Sequence, residues 1–388
     1  MLLTAVSAVP VLIWIYLLLG RGGFWRERGA ESQSAASPLL GTHGSKRIIA
    51  VIPARNEAEV IGEAVTSLLG QDLPFSLEII LVDDASTDGT AEVAIAASEH
   101  CGSPERLTII RGTPLVPGWT GKLWALSQGI IAATALGPDY LLLTDADIRH
   151  GKDSLAGLLE IAVSRDCDLA SFMIKLKCET MAEKALIPAF VFFFLMLYPP
   201  AWIASDKKRM AGAAGGCILI RPEALQRIGG LAAIRSEVID DCALARAVKR
   251  SGGRIWMDLS ADTESIRSYG SFGEIGRMIS RTAFNQLRHS PLILAGTVFG
   301  LFATYLLPLL LLFSDRLVPI ALGAATWLLM AMAYWPTIRF YRRSFLWSFT
   351  LPAVALFYMG ATIHSAVQYW RGKGGEWKGR VQDVRPSL

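Results

Sequence analysis

Charge is scarce in this chain. Charged residues fill 19% of its 388 positions, against 52% hydrophobic. That balance is too apolar for an ordinary soluble enzyme and points to membrane segments. The net charge is only +4, which argues against a nucleic acid or other polyanion as partner but suits a protein resting on an acidic lipid surface. Cysteine is sparse as well. The five residues Cys101, Cys167, Cys178, Cys217 and Cys242 form no C-x-x-C pair. This speaks against a zinc site and reads as reduced, buried thiols in a chain facing a reducing cytoplasm. Nor does positive charge precede the first apolar run, as it would in a signal peptide; Arg21, Arg26 and Arg28 follow it instead. That order predicts a retained anchor whose amino terminus is outside the cell membrane and whose following residues are cytoplasmic.

What is present divides the chain into five parts. Residues 1–20 form the apolar anchor, and residues 21–46 are a linker rich in small residues. Residues 47–290 alternate strand-like and helix-like patterns. The strand candidates are RIIAVI, LEIILV, RLTIIRG, YLLL, LASFMIKL, GGCILI and RIWMDL, and Val60, Ile61, Ala64, Val65, Leu68 and Leu69 share one helical face. Strand–helix–strand order predicts an α/β, Rossmann-like, doubly wound parallel sheet with ligands at the carboxyl ends of its strands. Within this part, residues 185–203 are apolar and aromatic. They read either as an interfacial helix on the membrane or as a buried core helix.

Residues 291–370 hold three apolar runs, 291–313, 317–336 and about 345–367, each long enough to span a bilayer. Residues 371–388 are a basic tail. Arg339, Arg342 and Arg343 mark the loop at 337–344 as cytoplasmic, and the tail's charge says the same of the tail. One spanning helix cannot join two cytoplasmic ends. Either the last run is re-entrant or the tail is outside.

The chemistry lies in acidic pairs. Asp83 and Asp84 follow LEIILV, Asp145 and Asp147 follow YLLL, and Asp240 and Asp241 open a helical stretch. One such pair reads as a helix cap or a solvated loop; three in one α/β domain, two of them at strand ends, point to a site. A D-x-D at a strand end suits Mg2+ or Mn2+, hard cations that take oxygen ligands and cancel the repulsion between the acids. After the first strand comes Pro53-Ala54-Arg55-Asn56-Glu57, with a helix predicted to start near Glu57 and to offer free N–H groups to an anion or a base edge. Lys122, in GWTGKLWAL, lacks the spacing of a P-loop. It reads equally as a turn lysine or as a diphosphate ligand. Arg281, Arg288 and His289, just before the apolar block, are a basic membrane flank or a clamp for a leaving diphosphate. His150 is read as a surface residue.

In this order the pieces VIPARNEAEVI, ILVDDASTDGT, GKLWAL, LLLTDADI, IDDCALA and NQLRHS resemble the membrane-bound family 2 glycosyltransferases of inverting GT-A fold. RTAFNQLR and the closing WKGR are similar to the hopene-associated members of hopanoid biosynthesis, with the ceramide glucosyltransferases a near relative in layout. The resemblance implies a hexosyltransferase that moves sugar from a nucleotide sugar, a UDP-sugar first of all, to a membrane lipid hydroxyl. It implies that Pro53, Ala54, Arg55 and Glu57 border the nucleotide and that Asp83 or Asp84 accepts from the base. Asp145 would lie by the ribose and diphosphate and Asp147 on the metal. Asp241, beside Asp240, would be the catalytic base, with Lys122 and Arg288 on the donor's phosphates. Asn285 and His289 stand where processive synthases carry glutamine and tryptophan, which implies a single transfer. Transfer to a polyprenyl phosphate and a non-catalytic membrane scaffold are the alternatives.

Overall fold

A computed structural model describes residues 2–26, 46–71, 73, 75–372, 376–377 and 380–381. Most of the predicted linker and of the basic tail lies outside the described residues. Helix α1 (Leu2–Gly20) comes first. The α/β part follows with β1 (Arg47–Ala54), α2 (Ile61–Leu69), β2 (Ser76–Asp83), α3 (Thr90–His100), β3 (Leu107–Arg111), α4 (Gly121–Ala135), β4 (Tyr140–Leu143), β5 (Ile148–Arg149), α5 (Ser154–Ser164) and β6 (Leu169–Lys175). After α6 (Met181–Leu197) and α7 (Pro200–Ile203) come β7 (Ile218–Ile220), α8 (Pro222–Arg227), α9 (Asp240–Arg250) and β8 (Ile255–Ser265). The chain continues as α10 (Phe272–Gln286), α11 (Pro291–Leu301), α12 (Leu307–Leu311), α13 (Leu317–Phe340) and α14 (Leu351–Trp370), then a hairpin of β9 (Glu376–Trp377) and β10 (Arg380–Val381).

The chain forms two compact units. In the first, residues 46–177 and 202–267 build an eight-stranded sheet of order β3-β2-β1-β4-β7-β6-β8-β5. Strands β3, β2, β1 and β4 are parallel, as expected of strands joined through helices. The sheet as a whole is mixed, which corrects the all-parallel expectation. Strand β7 runs antiparallel to both β4 and β6, and β5 runs antiparallel to β8. The reason lies in the connection: α6, between β6 and β7, belongs to the other unit and is no crossover helix on the sheet.

The register sets the site. Ala54 lies opposite Asp83, and Val51 opposite Leu143, so the carboxyl ends of β1, β2 and β4 share one edge. Strand β1 is buried on both faces from Ile48 to Ala54, the burial a central parallel strand requires. Helix α4 lies so close to it that a Cβ on Gly129 would come 2.4 Å from Val51 Cγ1 and 2.8 Å from Val82 Cγ2.

The second unit gathers residues 2–26, 178–201 and 268–372. It is built from apolar helices, and Phe192, Phe193, Tyr305, Tyr334 and Tyr358 pack their rings against one another. Helix α6 is largely buried within this unit. Among the described residues, five helical stretches are long and apolar enough to cross a membrane: Leu3–Gly20, Met181–Ile203, Pro291–Leu311, Leu317–Phe340 and Phe345–Trp370.

Candidate active site

The loops after β1 and β2 are tied together. The N–H groups of Asn56, Glu57 and Ala58 donate to Ser86 Oγ, Thr90 Oγ1 and Asp88 Oδ2 at 3.0, 2.9 and 3.0 Å. Asn56 Oδ1 accepts from the Thr87 N–H at 2.9 Å. This corrects the expectation of free N–H groups at a helix starting near Glu57: the helix begins at Ile61, and polar side chains of the second loop take the donors. The donors of the first loop are thus satisfied locally by its neighbour. The Ala54 carbonyl accepts from the Asp84 N–H at 2.8 Å. Asp84 is buried, and Arg55 reaches its carbonyl at 2.5 Å and its carboxylate at 3.7 Å. Asp83 is more exposed; its Oδ1 accepts from the Ser86 N–H at 2.9 Å.

A cleft opens at the edge where β4 ends. Pro53, Lys122, Thr144, Asp145, Gly215, Asp240 and Asp241 line it, with Leu123, Leu143, Ile218 and other apolar residues as its floor. Lys122 stands in the first turn of α4, which Thr120 caps. Its ammonium lies 2.8 Å from Asp145 Oδ1 and 3.4 Å from Asp240 Oδ2. Asp240 and Asp241 form the first turn of α9, where the helix dipole favours negative charge. The two oxygens of Asp241 accept from the N–H groups of Cys242 at 2.6 Å and Gly215 at 2.9 Å. Gly215 adjoins both groups: a Cβ there would sit at ordinary contact distance, 3.4 Å from Lys122 Nζ and 3.5 Å from Asp241 Oδ2.

One cation is shared among several acids, and the ionisation equilibria follow from that. Burial works against charge on Lys122, but Asp145, then Asp240 and Asp241, outweigh it and hold the ammonium protonated. Each acid receives only a share in return. Burial pushes the Asp145 carboxyl up; Lys122 opposes this, while Asp147 and Asp240 add to it. Burial, then the charge of Asp240, raises Asp241 to about 6, despite the N–H donors of Cys242 and Gly215 and the charge of Lys122.

Asp147 faces another way. Its Oδ2 accepts from Ser265 Oγ and from Arg267 Nε, both at 3.0 Å. The same guanidinium reaches both Glu57 oxygens at 2.9 and 2.7 Å. Arg267 was not singled out from sequence. It follows β8, and 120 positions separate it from Asp147; only its place after a strand hinted at it.

His150 is buried, which corrects the surface reading. It directly follows β5, and its N–H donates to Ser67 Oγ at 3.0 Å. Thr144 Oγ1 donates to the Gly216 carbonyl at 2.8 Å and lies 3.0 Å from His150 Nε2. The single threonine proton is thereby used, so Nε2 carries the imidazole proton and donates. Burial lowers the pKa of His150 to about 4, which keeps it neutral. His150 thus fixes Thr144, the neighbour of Asp145.

The structure brings Pro53, Lys122, Asp145, Asp240 and Asp241 into one cleft, sets Arg55, Asp83 and Asp84 on the neighbouring loops, and joins Glu57 to Asp147 through Arg267. Arg288 belongs to the other unit, in the turn after α10, with its backbone in the left-handed region at φ 53°.

Residues 49–229 match the model of glycosyl transferase family 2. This segment is a family 2 glycosyltransferase domain. It takes in every predicted residue from Pro53 to Asp147, while Asp240, Asp241, Arg267 and Arg288 lie beyond the match. The chain is 28% identical over 127 residues to the mouse (Mus musculus) dolichyl-phosphate beta-glucosyltransferase, covering 30% of this chain and 36% of that protein. It is 33% identical over 129 residues to a 4,4'-diaponeurosporenoate glycosyltransferase of Staphylococcus aureus, covering 33% of this chain and 30% of that protein. The chain therefore spans about a third of the length of the curated relatives it matches. A mannosyltransferase of Pyrobaculum calidifontis, solved with GDP-Man and Mn2+, superposes with a TM-score of 0.54 at 17% identity, covering 96% of this chain and 99% of that one. That likeness establishes a shared GT-A fold.

Proposed function

We propose that the chain transfers a sugar from a nucleoside-diphosphate sugar to the hydroxyl of a membrane lipid, inverting the anomeric carbon. The observation that carries this reading is the convergence of Asp145, Lys122, Asp240 and Asp241 at the carboxyl edge of the sheet. The donor's diphosphate seats against Lys122, whose charge is fixed there. Asp83 receives the base on the adjoining loop.

The donor set fits a hard divalent cation. Around the cleft five carboxylates (Glu57, Asp145, Asp147, Asp240, Asp241) face two cations (Lys122, Arg267), and all ligating atoms are oxygen. Among the described residues no three acidic, histidine or cysteine side chains could hold an ion by themselves. Asp145 and Asp147 would hold it, with the diphosphate supplying further oxygens. Such a cation supplies positive charge to a leaving diphosphate. The chain's own residues do the rest. Asp241 takes the proton of the acceptor hydroxyl as that oxygen bonds the anomeric carbon, and the bond from that carbon to the diphosphate oxygen breaks on the opposite face. A carboxylate with a pKa near 6 is ionised at neutral pH yet basic enough to share that proton.

The acceptor is a lipid on this reading because the chain carries helices fit for a bilayer and its relatives' names include dolichyl phosphate and 4,4'-diaponeurosporenoate. Helix α1 anchors the chain with its amino terminus outside and the glycosyltransferase domain in the cytoplasm, at the inner membrane, as the arginines after α1 favour. A hopanoid is the first acceptor to test. The dolichyl-phosphate relative favours a second reading, a polyprenyl phosphate acceptor, which needs little base catalysis. Detergent-purified protein incubated with UDP- and GDP-sugars and lipid extracts, with mass spectrometry of the product, tests both. A glycosylated lipid supports transfer, and free sugar alone, or no metal-stimulated turnover, contradicts it.

A further inference from the structure

We infer that only three of the five apolar stretches cross the bilayer, and that Phe345–Trp370 is a re-entrant hairpin returning to the face it left. The inference rests on the membrane reading above and concerns the apolar unit alone. Its frame is the pair formed by α11–α12 and α13. A Cβ on Gly323 would lie 2.5 Å from the Pro308 carbonyl and 3.0 Å from Leu311 Cβ, and residues 312–316 join the two arms. The arms are therefore antiparallel, and the start of α11 lies at the same end as the finish of α13.

From that end, the 3-10 helix Phe345–Thr350 retraces α13. The Phe345 ring packs on Trp335 at 5.2 Å, and the Phe349 carbonyl accepts from Trp327 Nε1 at 3.1 Å. Those tryptophans stand eight positions apart, about 12 Å along a helix. The chain thus dips partway into the unit and stops short of the far end. Helix α14 then climbs back. Its last turn stacks Tyr369 on His289, with ring centroids 4.1 Å apart and planes 13° apart, and sets Trp370 against Phe284 at 5.6 Å. His289 stands two positions before Pro291, the first residue of α11. The excursion starts and finishes at one end of the α11–α13 pair.

Helix α10 gives independent support. It runs beside α14 in the same direction, from Phe272 against Phe357 to Phe284, whose N–H donates to Ser365 Oγ at 3.0 Å. Arg277 and Arg281 are exposed along it. Hydrocarbon would reject those charges, but the headgroup layer accepts them. Helix α6 stays on the same face. Arg343, just past α13, donates to the Cys178 carbonyl before α6. Arg21, just past α1, donates to the carbonyls of Met196 at 2.9 Å and Leu197 at 3.2 Å at its end. Phe192 touches both Phe24 and Tyr334, at 5.3 and 5.1 Å. A helix fastened at both ends to residues that leave α1 and α13 lies across them. The crossings are then α1, α11–α12 and α13. The basic loop at 341–344 and the chain leaving Trp370 share a face, which removes the conflict between their charges.

Variants of the full chain with one added cysteine test this in intact cells with a membrane-impermeant maleimide, the parent chain with its five native cysteines serving as background. Asp315→Cys reports the turn between α12 and α13, and Arg371→Cys the chain after α14. Three crossings put the two on opposite faces, so one is labelled at once and the other only after permeabilisation. If both behave alike, α14 crosses and the inference is overturned. Alkaline carbonate extraction separates this from failure of the membrane reading itself: a chain released without detergent overturns both.

Discussion

Replacing Lys122 with methionine keeps the length of the side chain and deletes the one ammonium shared by Asp145, Asp240 and Asp241. Leaving a buried charge without its partner costs roughly 3–5 kcal/mol. Here the side chains of Lys122, Asp145 and Asp240 are 22, 33 and 21% exposed, so solvent screening brings the cost to about 2 kcal/mol at pH 7. The sign of the pH dependence follows from the raised carboxyls. An acid whose folded-state pKa lies above its unfolded value adds its stability in full at low pH and loses it as the pH rises through the folded value. Asp145 and Asp241 are both raised, Asp241 to about 6, and loss of the lysine raises them further. The penalty of Lys122→Met therefore shrinks toward zero near pH 4 and is complete above pH 7. Thermal unfolding in detergent, followed by tryptophan fluorescence, measures it. A drop in Tm of about 4–8 °C at pH 7 corresponds to that cost in a domain of this size, with little drop at pH 4.5. The same variant moves the acid limb of the rate profile up from about 6 by about one pH unit. An unchanged Tm at pH 7 together with an unchanged limb would refute the shared-cation account.

The wild-type chain should lose kcat/KM as the pH falls through about 6, because Asp241 must be ionised to accept a proton; initial rates at donor concentrations well below KM across pH 5–8 show this. His150→Gln should flatten the stability loss between pH 6.5 and 4, since burial holds the wild-type imidazole neutral down to about 4 while the unfolded chain protonates; equal slopes in denaturant titrations would contradict it. Gly129→Ala forces a methyl 2.4 Å from Val51 Cγ1, so unfolding free energy should fall by about 1–3 kcal/mol, with partial recovery when Val51→Ala is added. Arg267→Met removes the cation that competes for Asp147 Oδ2. Mn2+ bound in the presence of nucleoside diphosphate, read by electron paramagnetic resonance, should tighten by roughly tenfold, about 1.4 kcal/mol.

The sequence made the frame of the site legible because its signals are local. YLLL followed by Asp145 and Asp147 declared a buried strand with acids at its end, and β4 with its cleft stands there. Asp240-Asp241 before an amphipathic run declared a helix start, and α9 begins there. What stayed hidden depends on distant partners. Lys122 read equally as a turn lysine, and only the folded chain sets it against Asp145 and Asp240. Arg267 carries no motif at all. His150 seemed a surface residue because a two-residue strand is too short to leave a periodic pattern. The mixed sheet escaped notice for a different reason: GGCILI read as a strand, but its direction depends on the connection before it, and the apolar segment there packs within the other unit.

The central claim is that Asp241 accepts the acceptor's proton. Asp241→Asn preserves an oxygen for the Gly215 N–H and removes the basicity. Donor affinity by calorimetry, set beside turnover on the same preparation, separates binding from chemistry. The account predicts donor binding within about threefold of wild type and turnover lowered by about 10²–10⁴. Turnover within tenfold of wild type, with donor binding intact, would contradict it and favour a phosphate acceptor that needs no base.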